Sequence, residues 1–147
     1  MGEIRSYRDL LVWQQAMELA AAVYRFTRAW PKDELYGLTS QARRAATSIP
    51  ANIAEGYGRE NRGSYVQFLK IAQGSLKELE THLLVAERIE ITEKQKIASL
   101  LLQSESVGKL LRALMRKLSL NLSPLLAYYS CGGRCASRSA IKRSNSS

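Results

Sequence analysis

Between residues 62 and 89, Tyr65, Phe68, Leu69, Ala72, Leu76, Leu79, Leu83 and Ala86 recur at spacings of three and four without a break. Only an α-helix puts such a set on one face, and a helix of that length spans about 42 Å at 1.5 Å per residue. An apolar stripe this long must be covered by partners of similar length. The rest of the chain must supply such partners.

Three are found. In the first helix Leu10, Trp13, Met17, Ala20 and Tyr24 form one stripe, and Leu19, Val23, Phe26 and Trp30 form a second that widens it. Pro31 closes this helix near residue 30. Asp33 is expected to cap the next, with Glu34 favourably placed at its positive end. The last helix opens with Thr92-Glu93-Lys94-Gln95, a capping box, and continues through Ile97, Leu100, Leu101, Ser104, Val107, Leu111, Leu114 and Leu118.

The second helix carries Leu35, Leu38, Ala42, Ala45, Ile49 and Ile53, with Pro50 in their midst in the stretch SIPANIAEGYGR. Were Pro50 the first residue of a new helix, Ile49 would be a poor cap. A cap at Ser48 would want Glu or Gln at position 51, where Ala51 stands. The stripe passes through 49 and 53 in phase. An interior proline costs roughly 3 kcal/mol in isolation, which packing can tolerate at the expense of a bend. The expectation is one helix from about 34 to 56, kinked at Pro50 and stopped by Gly56 and Gly58. Gly74 and Ser75, weak helix formers inside the third helix, are expected to let a neighbour approach closely.

Helices of roughly 23–28 residues joined by short connections are antiparallel neighbours. The fold expected is all-α: an antiparallel up-down-up-down four-helix bundle over residues 1–120. Residues 121–147 follow as a basic tail, its last fifteen or so expected to be disordered.

Of 22 Lys and Arg, the last thirty residues hold four, without an acid, and the whole chain has a net charge of +9. Such a balance favours an anionic partner such as RNA or DNA. In the expected topology one end gathers Arg5, Arg8, Arg59, Arg62, Arg112, Arg116 and Lys117 against Glu3, Asp9, Glu55 and Glu60. The other end is close to balance. Arg59, Arg62, Arg112, Arg116 and Lys117 are the candidate phosphate contacts. No aromatic platform is seen among them, so binding should be to phosphates and weakly sequence-specific.

Catalytic chemistry finds no constellation. His82 is the only histidine and sits on the flank of the third helix, where packing accounts for it. Neither a GxxxxGK[ST] phosphate loop nor a GxSxG elbow occurs. Gly56, Gly58 and Gly63 loosely imitate a dinucleotide fingerprint, but they follow a helix and read as a turn. Cys131 and Cys135 have metal-ligand spacing, yet a site needs four ligands. No enzyme activity, cofactor or metal is expected. No stretch reaches the ~18 apolar residues of a membrane span, and the first residues lack the apolar run of a secretory signal. A cytoplasmic location with no membrane partner is the expectation.

With the helices placed, the runs LLVWQQAMELAAAVYRF, LTSQARRAATSIPANIAEGYGR and YVQFLKIAQGSLKELETHLLVAERI resemble the 23S rRNA intervening-sequence protein family, also called the four helix bundle protein family. SIPANIAEG and FLKIAQGSLKELET carry most of that resemblance, which covers about residues 7 to 118. Members are encoded within intervening sequences of ribosomal RNA genes or as free-standing genes. A related branch comprises accessory proteins of diversity-generating retroelements, which form homopentamers and bind nucleic acid and a reverse transcriptase. The resemblance implies a bacterial protein with this fold, a pentamer, and either nucleic acid or a reverse transcriptase as partner. It implies no biochemical activity, and the tail after Leu118 lies outside it. Arg43, Arg44, Glu55, Glu78 and Glu80 fall in the matching segments. Ion pairing between the second and third helices or across subunits suits them, with Arg43, Arg44, Glu55 and Glu78 candidates for a subunit interface or pore.

Two functions follow as expectations. One is a non-enzymatic, oligomeric nucleic-acid-binding protein. The other is an interaction adaptor using the stripe Leu19, Val23, Phe26 and Trp30 for self-association and docking. An RNA-processing enzyme would fit the genomic setting of the family but has no residues to carry it.

Overall fold

The computed structural model describes residues 3–120, and over them the chain forms four long helices with no strand. These are α1 (Leu11–Phe26), α2 (Leu38–Tyr57), α3 (Arg62–Arg88) and α4 (Lys94–Leu120). Each packs against its neighbour in sequence, and α1 meets α4 to close the ring. This is the four-helix bundle that the apolar stripes require. The tail and its two cysteines lie outside the described residues.

The core follows the third-helix stripe closely: Leu69, Ala72, Leu76, Leu79, Leu83 and Ala86 are fully buried. Ala42, Ala45, Ile49 and Ile53 of α2 and Ile97, Leu100, Ser104, Val107 and Leu111 of α4 meet them. On α1 the assignment of stripes reverses. Leu19 and Val23 are fully buried, as is most of Trp30, so the set expected for docking is the protein's own core. The surplus apolar surface belongs to the other stripe, where Met17 is 43% and Tyr24 42% exposed. The centre of the buried face runs through Val12, Ala16, Leu19 and Val23, turned toward both α2 and α4.

Helix boundaries also differ. α1 tightens into a 3₁₀ turn at Thr27–Ala29, and Lys32–Glu34 forms another. α2 starts at Leu38, not 34, because Gly37 adopts a non-helical φ of −101° and ψ of −119°. Leu35 therefore falls off the stripe and is exposed. The cap is supplied by Glu34 rather than Asp33: its Oε2 accepts from the Leu38 N–H at 3.0 Å. α4 begins at Lys94, two residues beyond the Thr92 that would open a capping box.

Pro50 sits inside α2, buried, and the helix continues past it to Tyr57. Gly58 is the C-cap, whereas Gly56 is a buried helical residue with a packing role. A Cβ built on Gly56 would lie 2.8 Å from Tyr65 Cδ2 and 2.9 Å from Phe68 Cβ, so α2 and α3 touch closely there. Two turns lower Ser48 Oγ and Ser75 Oγ are hydrogen-bonded at 2.8 Å, and Asn52 Nδ2 donates to Ser48 O at 2.8 Å. Ser75 thus marks a close approach. Gly74 does not, since it is exposed and a Cβ there would meet nothing within 4 Å.

α3 ends in a Schellman arrangement. The N–H of Ile91 donates to Ala86 O at 2.9 Å and that of Glu90 to Glu87 O at 3.0 Å, while Ile91 packs on the core. The left-handed position belongs to Glu90, with φ of 63°, where glycine is usual. Glu90→Gly is expected to raise stability by about 1 kcal/mol by relieving that conformation. A urea midpoint that falls instead would contradict it.

Candidate nucleic-acid interface

The bundle end that gathers the start of the chain and the α2–α3 turn is built on aromatic contacts. Ser6 and Asp9 form a capping box around the turn Tyr7–Asp9, which aims Tyr7 back at the bundle. Its ring meets Trp13 edge-on at 5.2 Å and Tyr57 at 6.5 Å, and Tyr57 meets Tyr65 at 6.2 Å. All four are half-buried. Cations ride on this cluster: Arg8 stands 5.7 Å from the Tyr7 ring and Arg59 4.8 Å from the Phe68 ring. Cations and aromatic rings thus meet at this end, the rings packed edge-on against one another. Tyr57 and Tyr65 bracket the turn and Tyr7 precedes the first helix, a pattern visible in sequence but meaningful only once the ends meet.

The Tyr65 hydroxyl is buried without a hydrogen-bond partner. Burial, and then the neighbouring Tyr57, push its phenol up to about 12 from 10.0. Since the folded value exceeds the unfolded one, the neutral phenol's contribution to stability is complete below pH 10 and is lost as pH rises toward 12. Tyr65→Phe should flatten that part of the alkaline stability profile, read as unfolding midpoint against pH. An unchanged slope between those pH values would refute it.

The candidate phosphate contacts fall into two groups. Arg59 and Arg62 flank the α2–α3 turn, where Asn61 caps α3 by accepting from the N–H groups of Gly63 at 2.7 Å and Ser64 at 3.2 Å. The positive end of the α3 dipole adds to their field. Arg59 also reaches Glu55 at 2.6 Å, one turn back, which offsets part of its charge.

Arg112, Arg116 and Lys117 lie on α4, whose Gly108 faces Leu76 and Gln73 of α3. Antiparallel register then sets Arg116 level with about Val66 and Arg112 with about Lys70. Arg112 therefore stands eight residues from Leu120, some 12 Å down the side rather than on the tip. There it joins Lys77 around a narrow cleft of about 180 Å³ lined also by Glu80 and Glu105, and Lys109 pairs with that Glu105. Lys109, bonded at 2.7 Å, and then Arg112 and Lys77 hold the Glu105 carboxyl below the usual carboxylate range. The basic surface is thus an end plus one side. Lys70, Lys77 and Lys109 extend it and were missed because their alignment depends on the α3–α4 register.

The remaining candidates lie on α2 and α3. Within the chain Glu55 and Glu80 form ion pairs along single helices, with Arg59 and Lys77, and Glu78 has His82 Nε2 one turn on at 3.5 Å. Arg43 reaches α1, its Nε donating to Thr27 Oγ1 at 2.8 Å and its guanidinium lying 5.0 Å from the Tyr24 ring. Arg44 is exposed beside it. At the opposite end Arg25, Lys94 and Lys96 share a cavity of about 880 Å³ with Glu87, Glu90 and Glu93, so no field of one sign builds up. Among the described residues no cluster of His, Cys, Asp and Glu could hold a metal ion, and no helix is long and apolar enough to cross a membrane.

Comparison with known proteins places the same architecture. The family model described as 23S rRNA-intervening sequence protein matches residues 8–113. A 1.70 Å crystal structure of a protein with unknown function, from the S23 ribosomal protein family of Bacteroides thetaiotaomicron VPI-5482, superposes with a TM-score of 0.64 at 26% identity. The alignment covers 71% of this chain and 98% of that one. No curated protein matches the chain.

Proposed function

This chain belongs to the 23S rRNA-intervening sequence protein family, and on that premise we propose that it is a non-enzymatic, self-associating protein of the cytoplasm that binds nucleic acid through its basic end with little sequence preference. The observation that carries the reading is the placing of Arg59 and Arg62 at the α3 N-terminus, with Arg8 on the Tyr7 ring of the same aromatic cluster and Arg116 and Arg112 continuing down α4. Guanidiniums and helix N–H groups recognise phosphate, and nothing in the set is arranged to read base-pair edges from a groove. Self-association, a pentamer by the family resemblance, would multiply the face. RNAs of unrelated sequence and equal length should therefore bind with affinities within about threefold, and a tenfold or larger preference would contradict the reading. Sedimentation should give an oligomer; a monodisperse monomer would remove the multiplied face.

A second reading, an adaptor that docks another protein such as a reverse transcriptase, draws on the exposed Met17 and Tyr24 rather than on the buried stripe of α1. Those residues have a use closer to the first reading.

A further inference from the structure

Along the outer side of α1 and α2 runs an open groove of about 440 Å³, walled by Tyr7, Trp13, Met17 and Tyr24 on one side and Pro50 and Ala51 on the other. Its walls are almost wholly apolar. A guanidinium stands over a ring at each end: Arg8 lies 5.7 Å from Tyr7, and Arg43 5.0 Å from Tyr24. Arg43 is steadied there by its bond to Thr27 at 2.8 Å. Arg44, one turn before Thr47, is exposed on the same face of α2 and extends the cationic rim. Glu55, the acid that follows Ala51 by one turn, is engaged by Arg59. The groove opens at Tyr7, where the aromatic cluster of the basic end begins.

Rings walling an apolar trough beneath flanking arginines suit one kind of polyanion. Unpaired bases stack on aromatic faces of any sequence, and the phosphates between them lie against guanidiniums. A duplex keeps its bases stacked on one another and presents only its backbone. The other occupants, a second copy or residues 121–147, would bring positive charge to a positive rim. The whole chain carries +9, and its last thirty residues have four cations and no acid.

We infer that the α1–α2 groove is a track for single-stranded nucleic acid, its bases against Tyr7, Trp13 and Tyr24 and its phosphates on Arg8, Arg43 and Arg44. This rests on the nucleic-acid reading above but assigns an adjoining surface, which meets the basic end at Arg8, Tyr7 and Trp13, and a single-stranded partner. It also gives Arg43 and Arg44 a role on the outer wall rather than in a pore.

The test uses the full-length protein with short labelled single strands of RNA and DNA and the matching duplexes. Ala51→Glu, which sets a carboxylate at an exposed groove position, and Tyr24→Ala, which removes a ring, should each weaken single-strand binding about tenfold or more. Duplex affinity should stay unchanged, Tyr24→Phe should retain single-strand binding, and single strands alone should quench Trp13 fluorescence in a Trp30→Phe background. Groove variants that bind single strands like the wild type overturn the track while leaving the end face standing. Equal losses for both nucleic acids overturn it too. So does Ala51→Glu converting an oligomer to a monomer with single-strand affinity intact, since the groove is then an interface between copies. A wild-type protein that binds neither form removes the broader reading with it.

Discussion

Replacing Arg59, Arg62, Arg112 and Arg116 together by alanine is expected to weaken binding to structured RNA by roughly 10²-fold at about 0.15 M salt, and to make the dependence of log affinity on log salt shallower by about 3. The change in slope is the more telling of the two. It counts the counterions released when phosphates are neutralised, so it identifies the lost contacts as ionic. The four should not contribute equally. Arg59 spends part of its charge on Glu55 at 2.6 Å, and its single replacement should cost less than that of Arg116. Arg116 and Arg112 flank the α3–α4 side, where Lys109, bonded at 2.7 Å, and then Arg112 and Lys77 hold down the Glu105 carboxyl. Arg59 is about half exposed and Arg112 and Arg116 are exposed. Surface changes of this kind usually alter stability by no more than about 0.5 kcal/mol each. Loss of affinity in a protein that still melts normally would therefore report on binding. Lys94 and Lys96, at the balanced end, provide the control: their joint replacement by alanine should leave affinity unchanged. A quadruple variant that binds like the wild type would show that this face is not the interface.

The second large effect concerns two glycines inside helices, which should respond to alanine in opposite directions. Helix propensity alone favours alanine over glycine by about 1 kcal/mol at either position. At Gly56 the added methyl would lie 2.9 Å from Phe68 Cβ, a backbone-anchored atom with no freedom to swing away. The helices must separate, and overpacking of this sort costs about 1–3 kcal/mol and occasionally more. The net for Gly56→Ala is a loss of up to about 2 kcal/mol, and Gly56→Val should be worse. At Gly74 the methyl meets nothing within 4 Å, so Gly74→Ala should gain most of the propensity difference, about 0.5–1 kcal/mol. Chemical denaturation of both variants decides the matter. A stabilising Gly56→Ala would contradict the close α2–α3 contact. A destabilising Gly74→Ala would mean that this side of α3 is covered in the oligomer.

How much of this was legible in the sequence depends on which residues have to meet. The stripe from Leu69 to Ala86 is local, set by 3.6 residues per turn, and its burial follows directly. Passage of α2 through Pro50 was legible too, because Ile49 and Ile53 stay in phase across it. The two stripes of α1 were not separable. Both lie on adjoining faces of one helix, and only the positions of α2 and α4 determine that Leu19 and Val23 go inward while Met17 and Tyr24 are left outside. Glycines misled in the same way. Gly56 reads as a helix stop and Gly74 as a point of close approach, but Gly56 lies within α2 facing Phe68 and Gly74 faces solvent. The candidate site divides along this line. Cations near chain turns, Arg59 and Arg62, could be assigned to an end from topology. The aromatic cluster of Tyr7, Trp13, Tyr57 and Tyr65 joins residues from three helical elements and a turn, and no single window contains it.

Binding of the purified full-length protein to structured RNA and to duplex DNA across a salt series, with its mass in solution recorded at each point, tests phosphate recognition by the basic end most directly. The expected result is an oligomer whose affinity falls steeply and linearly in log–log form as salt rises. A protein that binds neither nucleic acid even at low salt would contradict it.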